Sequence, residues 1–139
     1  MTAARPEDAG RQPGGKGRHV AVRAVRGAVQ LASDDRAEVL AGTAELVTEV
    51  MARNELTTDD VISVLFTATS DLTSEFPALA ARQLGFQEVP LLCAAEINVP
   101  GAMPRVVRLL MHVETAKPRS AVQHVYLRGA AALRLDIAQ

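Results

Sequence analysis

One long stretch of helical periodicity stands among segments patterned as strands, and it limits how this chain can bury a sheet. Ser33-Asp34-Asp35 supplies an N-cap and two first-turn acids, which suit the positive end of a helix dipole. Val39, Leu40, Thr43, Leu46, Val47, Val50 and Met51 follow on one stripe, with Glu38, Glu45 and Glu49 outside it. The pattern predicts an amphipathic helix of about five turns ending near Asn54. One such helix covers one face of a sheet. The other face, if apolar, needs cover from elsewhere.

The remaining segments build that sheet. His19–Gln30 is Val-rich and lacks a helical stripe, which predicts a strand. Val20, Val22, Ala24, Arg26 and Ala28 share one of its faces, so Arg26 interrupts apolar surface and requires an anion, from an internal acid or from a ligand. Val61–Thr69 is β-branched and apolar throughout, the pattern of a strand covered on both faces. Phe76–Gly85 reads as a short helix with Pro in its first turn and Gly as its stop. Val89–Val99, Arg105–Val113 and Gln123–Leu127 read as three further strands, the first carrying Cys93 and Glu96. The order β, long α, β, short α, β, β, β predicts an α+β domain: a mixed five-stranded sheet packed on one long helix plus short helices. The uncovered second face predicts a closed homo-oligomer. Residues 1–18 are rich in Gly and Pro and nearly devoid of apolar side chains beyond alanine. They read as a disordered tail before a domain spanning residues 19–139.

Composition narrows the function classes. The formal net charge of −1 argues against a general nucleic-acid binder, and with 3% aromatic residues there are few surfaces for base stacking. No apolar run is long enough to span a membrane, and the opening MTAARPEDAGRQPGG lacks the apolar core of a secretory signal, so a cytoplasmic protein is expected. A lone cysteine, Cys93, excludes an internal disulfide and a Cys-cluster metal site. Neither a metal nor a cofactor is expected.

Hydrolytic machinery is absent from the pattern. His19, His112 and His124 are isolated, and the glycines form neither a phosphate loop nor a dinucleotide fingerprint. Three arginines, Arg26, Arg108 and Arg134, lie on or near strands rather than on helix faces. Cations there point either to a polyanionic small molecule or to ion pairs buried within an oligomer. Glu96, at the end of LLCAAE, is an acid whose burial demands a cation or hydroxyl partner. Cys93 and Glu96 are three residues apart, so along a strand they point to opposite faces. Contact of both with one ligand requires a bulge or a site between subunits, and the oligomer argument favours the second.

The stretches VRAVRGAV (22–29), ATSDL and FPALAAR (within 68–82), VPLLCAAEINV (89–99), RVVRLLMHV (105–113) and HVYLRGAAALR (124–134) carry a resemblance. In that order, with their R-G-A, F-P-A, C-x-x-E and H-V-Y-L patterns, they resemble the monofunctional α/β class of chorismate mutase. The resemblance covers nearly the whole chain after the tail. It implies a ferredoxin-like pseudo α/β-barrel trimer with active sites between subunits. It implies a cofactor-free isomerase that converts chorismate to prephenate on the shikimate route to phenylalanine and tyrosine. This is an intramolecular rearrangement, so the lack of a nucleophile–base pair is what the reaction calls for. Residue roles follow from the same resemblance. Arg108 matches the arginine that reaches the ether oxygen and the enolpyruvyl carboxylate, and Arg26 and Tyr126 match residues that grip the side-chain carboxylate. Glu96 and Cys93 match groups that bond to the ring hydroxyl, Cys93 from a neighbouring subunit. Phe76 and Ala78 resemble the neighbour's apolar wall, Leu133 closes the other side, and Arg82 and Arg134 resemble outer arginines near the ring carboxylate and the mouth. The sequence departs from the pattern at Leu79, where some relatives carry lysine, and at Leu92, where a threonine can precede the cysteine. Two rivals share the expected architecture: a non-catalytic trimeric module binding a small carboxylate metabolite, and a small imine- or enamine-processing trimer.

Overall fold

In the computed structural model, which describes residues 19–133, Asp35 is the N-cap of the long helix. Its carboxylate accepts the Glu38 backbone N–H at 2.9 Å, and helix α1 runs Arg36–Arg53. The helix stops at Asn54, whose buried side-chain amide donates to the carbonyls of Val50 and Gln123, both at 2.9 Å. The same amide accepts the Gln123 N–H at 2.8 Å, so one side chain caps α1 and fixes the approach to the last strand.

The strands are β1 (Ala21–Gln30), β2 (Val61–Ala68), β3 (Leu91–Ala95), β4 (Val106–Thr115) and β5 (Val125–Leu127), and helix α2 spans Pro77–Gln83. They form one mixed five-stranded sheet in the order β3-β2-β4-β1-β5. β4 is antiparallel to both β1 and β2, while the outer pairs β2–β3 and β1–β5 are parallel.

Alternation along the strands divides the sheet into two faces. Val25, Val29, Val64, Phe66, Val107, Leu109, Met111 and Val113 point to one side and are buried beneath α1 and α2. The core is aliphatic apart from Phe66 and Phe86. Gly27 sits where α1 comes nearest the sheet: an added Cβ would lie 3.1 Å from Leu46 Cδ1 and 3.3 Å from the Val125 carbonyl. On the opposite face Arg26, Leu65, Thr67, Arg108, Leu110 and His112 are exposed or half-buried. A short 3-10 turn, Arg128–Ala132, folds over one end of that face and helps to bury Ala28 and Val106 with Tyr126 and Leu133.

Several segments differ from the sequence expectation. Val61–Thr69 is covered on one face within the protomer, not two, since Ile62 is 40% exposed. The strand expected over Val89–Val99 contracts to Leu91–Ala95. Pro90 precedes it, and after Ala95 the last sheet bond runs from Glu96 N to the Ala68 carbonyl at 2.9 Å, where β2 also ends. The final strand begins at Val125 because the Gln123 backbone is taken by Asn54. The tail and Arg134 lie outside the described residues.

Candidate active site

Strand register brings the arginines together on the open face. Arg26 lies opposite Leu110, and Arg108 lies opposite Ala28 on one side and Thr67 on the other. The two are diagonal neighbours across an antiparallel pair, a relation that sets backbones roughly 7–8 Å apart. A cavity of about 450 Å³ opens there, lined by Arg26, Leu65, Thr67, Arg108, Tyr126 and Leu133 among others.

Arg108 Nε donates to Glu96 Oε2 at 2.9 Å, and the same oxygen accepts the Thr67 hydroxyl at 2.6 Å. Glu96, whose side chain is 16% exposed, thereby has the cation and hydroxyl partners its partial burial demanded. The two terminal nitrogens of Arg108 have no hydrogen-bond partner among the described residues. Since Nε is committed, the guanidinium plane is fixed while its outer donors remain available. The Arg26 backbone N–H donates to His124 Nδ1 at 3.0 Å at the β1–β5 edge.

A second cavity, of about 510 Å³, lies between the 69–77 loop and β3 and is lined by Phe76, Pro77, Cys93 and Ala95 among others. Cys93 is opposite Phe66, on the helix side of the sheet, whereas Glu96 reaches Thr67 on the open side. Phe76, the N-cap residue of α2, is 69% exposed. The loop that presents it is pinned to the start of α1. Asp34 accepts the Ser74 hydroxyl at 2.7 Å and the Thr73 hydroxyl at 3.0 Å, together with both backbone N–H groups. The Ser74 hydroxyl is the leading reason that the Asp34 carboxyl is held below its ordinary value, with the Thr73 bonds adding to it. Glu75 is likewise lowered, first by the Phe76 N–H and then by Arg36, whose Nε donates at 2.8 Å.

The structure thus gathers Arg26, Arg108, Tyr126, Leu133 and Glu96 on the open face, and Phe76 and Cys93 at a separate hollow. Ala78 joins neither group: it is 3% exposed in the core beneath α2. Arg82 is exposed on the last turn of α2 and lines neither cavity. Sequence reasoning missed Thr67 and its bond to Glu96. It also missed His124, whose ring holds the Arg26 amide. Thr67 left one signal, a hydroxyl two residues after Leu65 on the face opposite Phe66.

The family model for chorismate mutase type I matches residues 22–137. The chain belongs to the type I chorismate mutase family. It is 44% identical over 117 residues to chorismate mutase AroH of Thermus thermophilus, covering 84% of this chain and 96% of the relative. Chorismate mutase AroH of Bacillus subtilis is 37% identical over 117 residues, covering 84% and 92%. A solved chorismate mutase from Clostridium thermocellum superimposes with a TM-score of 0.78 at 42% identity, over 78% of this chain and 97% of that one. This type I chorismate mutase therefore has the family's α+β fold, and its activity is that of an isomerase.

Proposed function

We propose that the chain rearranges chorismate to prephenate in phenylalanine and tyrosine biosynthesis, in the cytoplasm, at a crevice between two protomers of a closed homotrimer. The observation that carries the reading is the anchored guanidinium of Arg108, with Nε on Glu96 and two further nitrogens without partners among the described residues beside a cavity that Arg26 also lines. In the rearrangement an ether C–O bond breaks as a C–C bond forms within one molecule, and negative charge grows on the ether oxygen. Nothing has to be attacked and no proton has to move. What is required is a fixed positive charge at that oxygen and a grip on the reactive conformer. Arg108 supplies the charge. Arg26 and Tyr126 hold the side-chain carboxylate, Leu133 closes the apolar side, and Glu96 receives the ring hydroxyl.

Assembly completes the site. Val22, Leu92, Ile97 and Val99 are large apolar residues more than half exposed in the lone protomer, which favours burial against a second copy. Phe76 and Cys93 line a hollow on the other side of the sheet from Arg108, so one ligand meets both groups when they come from adjoining chains. Phe76 and Cys93 are the neighbour's contribution, with Ala78 shaping the wall from beneath. Arg82 and Arg134 serve the ring carboxylate and the mouth.

The direct test is incubation of the purified protein with chorismate while following the loss of its ultraviolet absorbance. Loss at a rate proportional to enzyme is expected. A rate equal to the uncatalysed background would refute the reading.

A further inference from the structure

The Glu96 carboxylate is loaded unevenly. Oε2 accepts two hydrogen bonds, from the Thr67 hydroxyl at 2.6 Å and from Arg108 Nε at 2.9 Å. Oε1 has no hydrogen-bond partner among the described residues. The arrangement follows from the sheet. Thr67 stands directly opposite Arg108 in the β2–β4 pairing, and the Glu96 backbone is tied to the next residue of β2 through the Ala68 carbonyl at 2.9 Å. Two side chains from adjacent strands therefore converge on one oxygen of a third residue just past the end of β3. An ionised carboxylate only accepts, so the Thr67 hydroxyl must spend its proton there.

We propose that Thr67 is a positioning residue of the rearrangement. Its hydroxyl stops the Glu96 carboxylate from rotating, which keeps Oε2 on Arg108 and presents Oε1 as the acceptor for the substrate's ring hydroxyl. Without that donor the carboxylate can turn about its last side-chain bond while Oε2 stays on Arg108 Nε, and Oε1 no longer faces the ring hydroxyl. The proposal rests on the chorismate reading and adds a division of labour between the two oxygens. The hydroxyl takes no part in bond making or breaking, so its contact is equally strong in ground and transition states and belongs to KM rather than kcat.

The experiment compares Thr67→Val, Thr67→Ala and Thr67→Ser with the unaltered protein, on chorismate and on an analogue lacking the ring hydroxyl. Valine keeps the strand preference of threonine, and circular dichroism with the thermal midpoint reports folding; alanine gives the same readout should valine pack badly. Both should raise KM for chorismate about 3–10-fold with kcat little changed, the loss of one charge-assisted hydrogen bond's orientation. Thr67→Ser should restore KM to within about twofold, because it returns the donor. On the analogue, all forms should have equal kcat/KM. In a Glu96→Gln background, Thr67→Val should add nothing further. Folded Val and Ala variants with unchanged KM, or an equal loss on chorismate and on the analogue, would overturn the proposal while leaving the enzyme reading intact. Absence of turnover by the unaltered protein would overturn both.

Discussion

On the proposed reading, replacing Arg108 with alanine removes the donor on which catalysis turns, and electrostatics sets the size of the effect. A full unit of negative charge about 3 Å from a guanidinium interacts by roughly 5–6 kcal/mol at an effective dielectric constant near 20. The breaking ether bond develops only part of that charge, which brings the contribution to about 3–4 kcal/mol, the range measured when one preorganised donor is deleted. Turnover should therefore fall by about two to three decades. Glu96 adds to the loss, since without Arg108 Nε at 2.9 Å its charge is left facing an anionic substrate. The fold should survive, because β4 keeps its backbone pairing with β1 and β2 and the Arg108 side chain is 40% exposed in the protomer. A lysine at 108 can satisfy Glu96 or reach the ether oxygen, but its single ammonium does not do both in a fixed plane, so it should recover only a minor part. The assay is the initial rate of chorismate absorbance loss, with circular dichroism and sedimentation as controls. Near-normal kcat in folded, assembled Arg108→Ala would refute the electrostatic argument.

Gly27→Ala should lower stability by about 1–3 kcal/mol, since the new Cβ, 3.1 Å from Leu46 Cδ1, pushes α1 off the sheet; a denaturant midpoint checks it. The Asp34 clamp should open in acid. Its folded-state pKa is depressed, so its contribution is complete above the ordinary aspartate range and disappears as pH falls through the lower folded value. Amide exchange at Thr73 and Ser74, corrected for intrinsic rates, should accelerate there, and Asp34→Asn should abolish that pH dependence. Arg128→Ala strands Glu38 and Glu45, which it binds at 2.7 and 2.9 Å. A partly exposed network of this kind is worth about 1 kcal/mol, so the thermal midpoint should drop by a few degrees.

Local physics made much of this readable. The α1 stripe from Val39 to Met51 is a matter of period, and the Arg26 and Arg108 faces follow from alternation, neither of which needs tertiary context. What escaped depends on partners distant in the chain. The stop of α1 near Asn54 is legible, but the bond from Asn54 to Gln123 is not, and Arg128 meets Glu38 across 90 positions. Thr67 is an ordinary strand residue by propensity, so its hydroxyl gained meaning only when register set it opposite Arg108. Ala78 shows the converse. The F-P-A pattern marks it as wall, and its burial one position into α2 leaves it to shape that wall from beneath. Exposure was misjudged at Ile62 on β2, which the protomer itself leaves 40% exposed.

The most direct test of a shared crevice is subunit mixing. Arg108→Ala disables the arginine side of each site, and Phe76→Asp disables the opposing wall by setting a negative charge against an anionic substrate. Neither variant alone should turn over chorismate appreciably. After equal amounts are unfolded and refolded together, about one site in four draws its Arg108 from one variant and its Phe76 from the other, so roughly a quarter of the unaltered activity should return. No recovery in oligomers proven to be mixed would contradict the account.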